Sequence, residues 1–283
     1  MKIAIIDYNS GNLHSVFKAF HLVASKISPS NTSPNTPPNT SPSKLMSYVD
    51  SEDGGGNISV GNTKNIGGVD ASIKVEVVHS AKDIRLADVV VLPGVGSFAD
   101  CRSGLASIDG AIEAIKEHIT AGKGFFGICV GMQLLAEKGF EKQETAGLGV
   151  LNANIEPIRD YAELGGNYSI PHMGWNNISV NDANHHQYLL KGINTDGDTE
   201  SDFYFVHSYF MKFADETSKK TMAKMDDAIL AYSEYAGVKI PAIIAKNNLV
   251  ATQFHPEKSG KLGILLIENF LKSCCQTHQI YQT

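Results

Sequence analysis

A chain of 283 residues that is 42% hydrophobic can bury a sizeable core, enough for one large α/β domain or two modest ones. A formal charge of -6 with no Lys/Arg-rich run argues against a nucleic-acid surface, because phosphate binding needs clustered positive charge. No apolar run reaches the ~18 residues of a membrane span, and Asp7 interrupts the first apolar stretch too early for a signal-peptide core, so a cytoplasmic protein without membrane contact is expected.

In chain order, Lys2 to Asp7 is a short apolar run, and Leu13, Val16, Phe17 and Phe20 follow at helical spacing between Gly11 and Val23, which predicts a strand feeding a helix. From about residue 25 to 72 the chain turns rich in Ser, Thr, Asn and Pro, with a Gly54-Gly55-Gly56 run. Such a composition cannot bury enough apolar surface to offset its ordering entropy, so a disordered insertion without catalytic role is expected there. Strands are then predicted at Ile73 to Val78, Asp88 to Leu92 and Gly124 to Ile128, with an intervening helix carrying Ile112, Ile115 and Ile119 on one face. Beyond Leu148 the extended runs are shorter, among them Phe203 to Phe213 and Ile240 to Lys246, and a helix from Ser259 to Leu271 closes the pattern. Strands alternating with helices imply an α/β fold with an open, mostly parallel central sheet, flanking helices and an antiparallel extension. Residues 1–283 are read as one domain interrupted by the insertion.

Three segments carry chemistry. Gly127-Ile128-Cys129-Val130-Gly131 sets a nucleophile between glycines, after a strand and before an apolar helix placed at Met132 to Ala136. That is the pattern of a nucleophile elbow, whose glycines permit a sharp turn with the side chain lifted above the sheet and whose helix N-terminus favours a thiolate. A thiolate needs a base and a group to orient that base, and Phe254-His255-Pro256-Glu257 offers both after a second apolar strand. Leu92-Pro93-Gly94-Val95-Gly96-Ser97 also follows an apolar strand, and its backbone N–H groups can point at a developing oxyanion. Phosphate binding by this glycine loop is disfavoured, since neither GxGxxG nor a Walker lysine is present. Read singly, each segment has a plainer alternative: a buried structural cysteine, a satisfied histidine, a Pro-Gly turn.

Together, in this order, the three motifs resemble the class I (triad) glutamine amidotransferases, over nearly the whole chain outside the insertion. The resemblance implies that Cys129 attacks the glutamine carboxamide and forms a glutamyl thioester, that His255 shuttles the proton to ammonia, and that Glu257 orients His255. It implies oxyanion donors from Gly94, Val95 and Gly96 and from the elbow backbone at Val130, and substrate contacts from Gln133 and Glu141. Within the class, Asp7 to Leu13, Pro171-His172-Met173-Gly174-Trp175-Asn176 and Phe205 to Tyr209 resemble the glutaminase subunit of imidazole glycerol phosphate synthase. Ser208 and Tyr209 then fall beside glutamine, and His172, Met173, Trp175 and Asn176 near the interface with a separate cyclase subunit, a (β/α)8 barrel of about 250 residues for which this chain has no room. The implied assembly is a heterodimer that passes ammonia to the cyclase. Asn9 and Gly124 depart from the usual glycine and proline of that family.

No cofactor or metal is expected. Cys101, Cys129, Cys274 and Cys275 lack zinc spacing, and His185-His186 reads as an exposed loop. The rival readings are another class I glutaminase, a cysteine hydrolase acting on a different amide, and a non-catalytic regulatory subunit.

Overall fold

A computed structural model describes residues 1–28, 73–163, 168–194, 202–213 and 228–280. The insertion expected at about 25–72 lies almost wholly outside them, although its first residues are helical. The first helix, α1 (Leu13–Ile27), follows strand β1 (Lys2–Ile6) and continues past Val23, burying Val16, Phe20 and Val23 on one face. Then come β2 (Lys74–Val78), α2 (Ala81–Leu86), β3 (Val89–Leu92), α3 (Phe98–Ala106), α4 (Ala111–Thr120) and β4 (Gly124–Ile128). Ser80 and Ser97 cap α2 and α3 by accepting from the Asp83 and Asp100 amides. On α4 the buried face consists of Ala111, Ala114, Ile115 and His118, with Ile112 and Ile119 only partly covered. The expected isoleucine stripe is thus rotated by about one position, because the alanines let the helix lie close to its neighbours.

The second half contributes β5 (Lys138–Gly139), β6 (Thr145–Ala146), β7 (Ala153–Pro157), β8 (His172–Asn176), β9 (Ser179–Val180), β10 (Phe203–His207), β11 (Tyr209–Phe213), β12 (Ile229–Tyr235), β13 (Val238–Lys246) and β14 (Leu249–Thr252). The eight-stranded sheet runs β2-β1-β3-β4-β14-β13-β12-β9. Its first five strands are parallel and the last three pair antiparallel, which is the expected extension. Every residue of β3 and β14 is buried, as in a sheet covered on both faces.

Phe203 to Phe213 is not one strand. Phe203, Phe205 and His207 are buried, then Phe210 and Met211, so the buried parity inverts at Ser208. A side-chain period of two cannot absorb that inversion within one ladder. β10 instead pairs with β8, while β11 pairs with β7 in a small four-stranded sheet. The elbow turn forms a one-turn helix, α5 (Val130–Gln133), and the closing helix is α6 (Gly260–Ile280). Because β1, β3, β4 and β14 are parallel, the segments after them, namely Asp7–Tyr8, Pro93–Gly96, Cys129 and Gln253–Glu257, gather at one sheet edge, where open α/β sheets hold ligands.

Candidate active site

Cys129 leaves β4 with φ 52° and ψ −110°, a conformation that costs an L-residue on the order of 1–3 kcal/mol. Its N–H donates to Thr252 O at 2.7 Å, and the Gln133 N–H donates back to Cys129 O at 3.1 Å. The flanking glycines make this turn possible: a Cβ on Gly127 would stand 3.1 Å from Gly131 O, and one on Gly131 would run into the Leu92 carbonyl. The helix after the nucleophile, α5 (Val130–Gln133), is a single turn that holds only Met132 and Gln133 of the expected segment at Met132 to Ala136; Leu134, Leu135 and Ala136 are buried in the turns that follow. So short a helix contributes little dipole at the sulfur.

His255 sits just beyond β14, its N–H donating to Tyr204 O at 2.9 Å and its carbonyl accepting from Ser259 Oγ at 2.7 Å. Ser259 Oγ also accepts from Tyr204 N at 3.0 Å, so one buried hydroxyl ties β10 to the histidine. Nδ1 of His255 and Oε1 of Glu257 lie 2.9 Å apart, with both side chains almost fully buried. Nε2 is buried and has no hydrogen-bond partner among the described residues, yet the ring feels the Cys129 sulfur. Burial by itself would lower the His255 pKa; the negative charge of the nearby Cys129 sulfur, followed by the Glu257 carboxylate, outweighs it and raises the value to about 10. An imidazolium held between a carboxylate and a sulfur is a proton store poised beside a nucleophile.

Val130 N–H, a predicted oxyanion donor, is occupied by Gly94 O at 3.3 Å. The Val95 carbonyl in turn accepts from Ser10 Oγ at 2.6 Å and from the Cys101 thiol at 3.4 Å, and Tyr8 OH donates to Pro93 O at 2.5 Å. The loop is therefore pinned with a carbonyl, not a donor, facing the elbow. Gly94 has no space for a side chain, since a Cβ would stand 2.7 Å from Gly131 N. Gly96 has φ 102°.

Gln133 is buried, and its Nε2 donates to Tyr209 O and to Gln253 Oε1, both at 3.1 Å. Glu141 is half-buried and accepts from the Phe98 amide at 2.7 Å, next to the oxyanion loop, so it caps the start of α3. Ser208 stands at the junction of β10 and β11. On β8, His172 is buried, while Met173 and Trp175 stand out at 62% and 58% exposure, and Trp175 meets Tyr204 edge-on. Asn176 donates to Glu234 O at 2.9 Å. Both family departures have local reasons. Asn9 takes φ 62°, which glycine and asparagine tolerate best, and the Gly124 N–H, which proline would lack, donates to Asp88 O at 3.2 Å.

Sequence reasoning missed Gln253, Ser259, Ser10 and Cys101. Gln253 was detectable as a polar residue closing the apolar run Leu249 to Thr252; it is wholly buried, with Nε2 donating to Cys129 Sγ at 3.7 Å. A cavity of about 330 Å³ lies elsewhere, at the amino ends of β1, β3, β4 and β14, lined by Met1, Asp88, Lys123 and Cys274, and no motif residue reaches it. Among the described residues no cluster of three or more His, Cys, Asp or Glu is placed to hold a metal, and no helix is long and apolar enough to cross a membrane.

The family model for glutamine amidotransferase class-I matches residues 56–274. The chain is 37% identical over 273 residues to the imidazole glycerol phosphate synthase subunit HisH of Mesorhizobium japonicum, an alignment covering 96% of this chain and 99% of the relative. It is 38% identical over 216 residues to the protein of the same name from Lactococcus lactis, covering 76% and 95%. Among solved structures, PurLQS from Thermotoga maritima superposes with TM-score 0.53 at 13% identity, covering 96% of this chain and 98% of that one. The Trypanosoma brucei CTPS glutaminase domain with bound acivicin gives 0.51 at 13% identity, covering 98% and 94%. These structural likenesses speak to the fold alone.

Proposed function

From the chain's membership in the class I glutamine amidotransferases, within the imidazole glycerol phosphate synthase subunit HisH family, we propose that it hydrolyses glutamine to glutamate and ammonia for histidine biosynthesis. The observation that carries the proposal is the buried His255–Glu257 pair at 2.9 Å, set beside a cysteine in a strained elbow.

In this reading Cys129 Sγ attacks the carboxamide carbon, and the C–N bond breaks as His255 gives its proton to the departing nitrogen. The resulting glutamyl thioester is attacked by water, which passes a proton to His255, and glutamate leaves with Cys129 restored. Glu257 holds the ring by Nδ1 and stabilises its cationic form throughout. Gln133, Glu141, Ser208 and Tyr209 surround the glutamine, with Gln133 acting through the hydrogen bonds that fix its amide.

A resting loop in which Gly94 O blocks the Val130 N–H cannot stabilise an oxyanion, and a single oxyanion donor is worth about 2.7–4 kcal/mol. Turning the Gly94–Val95 peptide over frees Val130 and brings the Val95 N–H round beside it. We assign that turn to docking of the partner, a separate cyclase subunit that forms a heterodimer with this chain at the surface of Met173 and Trp175. Exposed methionine and tryptophan on one strand face suit such an interface. The ring-closing chemistry then belongs to the cyclase, to which this chain delivers ammonia in the cytoplasm. Residues 1–283 act as one amidotransferase domain carrying an insertion.

The test is glutamate release by the purified chain, alone and with the cyclase subunit and its nucleotide. Stimulated release that disappears in Cys129→Ala supports the proposal. Turnover indifferent to the cyclase would reassign the pathway to another class I glutaminase, and no turnover in any mixture would leave a regulatory subunit.

A further inference from the structure

Two buried histidines, His172 on β8 and His207 on β10, take no part in the chemistry above, yet they face each other with Nδ1 of His172 3.2 Å from Nε2 of His207. Burial holds both rings neutral, with pKa values of about 4 for His172 and about 3 for His207, the latter also opposed by its neighbour's charge. Their tautomers follow from one contact. His207 Nδ1 lies 2.9 Å from the Tyr209 carbonyl, which only accepts, so Nδ1 bears the proton and Nε2 the lone pair. His172 Nδ1 must therefore donate to His207, leaving His172 Nε2 to accept from Asn176 Nδ2 at 3.4 Å. His172 is further stacked between Phe205 and Tyr235, with centroids 4.9 and 3.9 Å away, so its ring cannot turn without moving β8.

The Tyr209 carbonyl is the node where this chain meets the nucleophile. It takes its second hydrogen bond from Gln133 Nε2 at 3.1 Å, the other Gln133 amide hydrogen goes to Gln253 Oε1 at 3.1 Å, and Gln253 Nε2 points at Cys129 Sγ at 3.7 Å. Every amide is thereby fixed against flipping. With its oxygen occupied by Gln133, Gln253 presents N–H to the sulfur.

We propose that Gln253 holds the Cys129 sulfur as a hydrogen-bond acceptor, and that Gln133, the Tyr209 carbonyl, His207 and His172 position it from β8, the strand that exposes Met173 and Trp175. The inference rests on reading Cys129 as the nucleophile and that strand as partner-facing, and it adds a route by which a displacement of β8 reaches the sulfur without passing through the oxyanion loop. His207 and His172 are positioning residues; within this chain of groups it is Gln253 that touches the reacting atom.

The experiment follows alkylation of Cys129 by iodoacetamide in the full chain at fixed neutral pH, resolved by peptide mass spectrometry, beside steady-state kinetics with the cyclase present. Gln253→Leu should slow alkylation about tenfold, the low end for a hydrogen bond to a charged group, and lower kcat by about the same factor with KM within about twofold. Gln253→Glu, nearly isosteric and without a donor, should slow it at least as much, which covers the case in which the leucine variant does not fold. His207→Leu should slow alkylation about threefold, and His207→Asn, whose amide nitrogen replaces Nδ1 as a donor to Tyr209 O, should restore it. Wild-type alkylation in either soluble Gln253 variant, or equal losses in His207→Leu and His207→Asn, would overturn the proposal. Alkylation needs no glutamine turnover, so a chain without glutaminase activity whose alkylation still responds would refute the assigned reaction and leave the positioning network standing.

Discussion

Replacing Glu257 by Gln probes the proposed catalytic pair, His255 and Glu257, with the least steric change. The carboxylate accepts a charge-assisted hydrogen bond from His255 Nδ1 at 2.9 Å in a buried setting. Such bonds contribute about 1.5–3 kcal/mol, which at 1.36 kcal/mol per pH unit corresponds to roughly one to two units in the histidine's pKa. His255 is held at about 10, so the variant's ring should titrate at about 8–9. In the proposed mechanism the imidazolium donates the proton that ammonia leaves with, so the alkaline limb of kcat should move down by that interval. Stability should follow the same sign. A raised histidine pKa favours the folded state fully below the unfolded value near 6.5 and ceases to do so as pH rises through the folded value, so the wild type's advantage over the variant is constant up to the variant's pKa of about 8–9 and closes between there and about 10. The assay is glutamate release against pH in the presence of the cyclase, with urea unfolding at several pH values. Coincident alkaline limbs in the two proteins would refute the account of how Glu257 acts.

Gly131→Ala drives a Cβ into the Leu92 carbonyl and should destabilise the elbow by about 3 kcal/mol, visible as a fall in Tm of roughly 6–12 °C by calorimetry; an unchanged Tm would mean the turn relaxes freely. Ser259→Ala strands the half-buried Tyr204 N–H and frees the His255 carbonyl, so unfolding should be easier by about 1–3 kcal/mol and kcat lower, both read on one preparation by denaturant titration and steady-state kinetics. Trp175→Ala should weaken cyclase binding by about 2 kcal/mol, a roughly thirtyfold rise in Kd by titration calorimetry; an unaltered Kd would move the interface away from β8.

Most of the sheet was legible because its strands are short runs rich in apolar residues. The segments carrying the proposed triad stood out because Cys129 and His255–Glu257 each follow a short apolar run, and the structure brings both segments to the same end of the sheet. The small sheets were not, since Phe203 to Phe213 looks continuous and only the parity change at Ser208 divides it. Gln253 and the His172–His207 contact escaped for a different reason. The histidines are 35 residues apart and meet only through the β8–β10 register, and Gln253 becomes informative only once Gln133 is seen to fix its amide. The pinned oxyanion loop belongs to the same class: Pro-Gly-x-Gly says that the backbone is exposed there, while which way the Gly94 peptide points is decided by Ser10, Cys101 and Val130 from three other segments.

The central claim is that Cys129 is a glutaminase nucleophile whose oxyanion site is closed in the isolated chain, and glutamate release tests it most directly. The chain alone should turn over glutamine slowly. Adding the cyclase subunit with its nucleotide should raise the rate at least about 100- to 1,000-fold, the worth of one of the two donors that the peptide turn recovers, and Cys129→Ala should abolish it. Full activity in the isolated chain, or glutamate release that survives Cys129→Ala, would contradict the account.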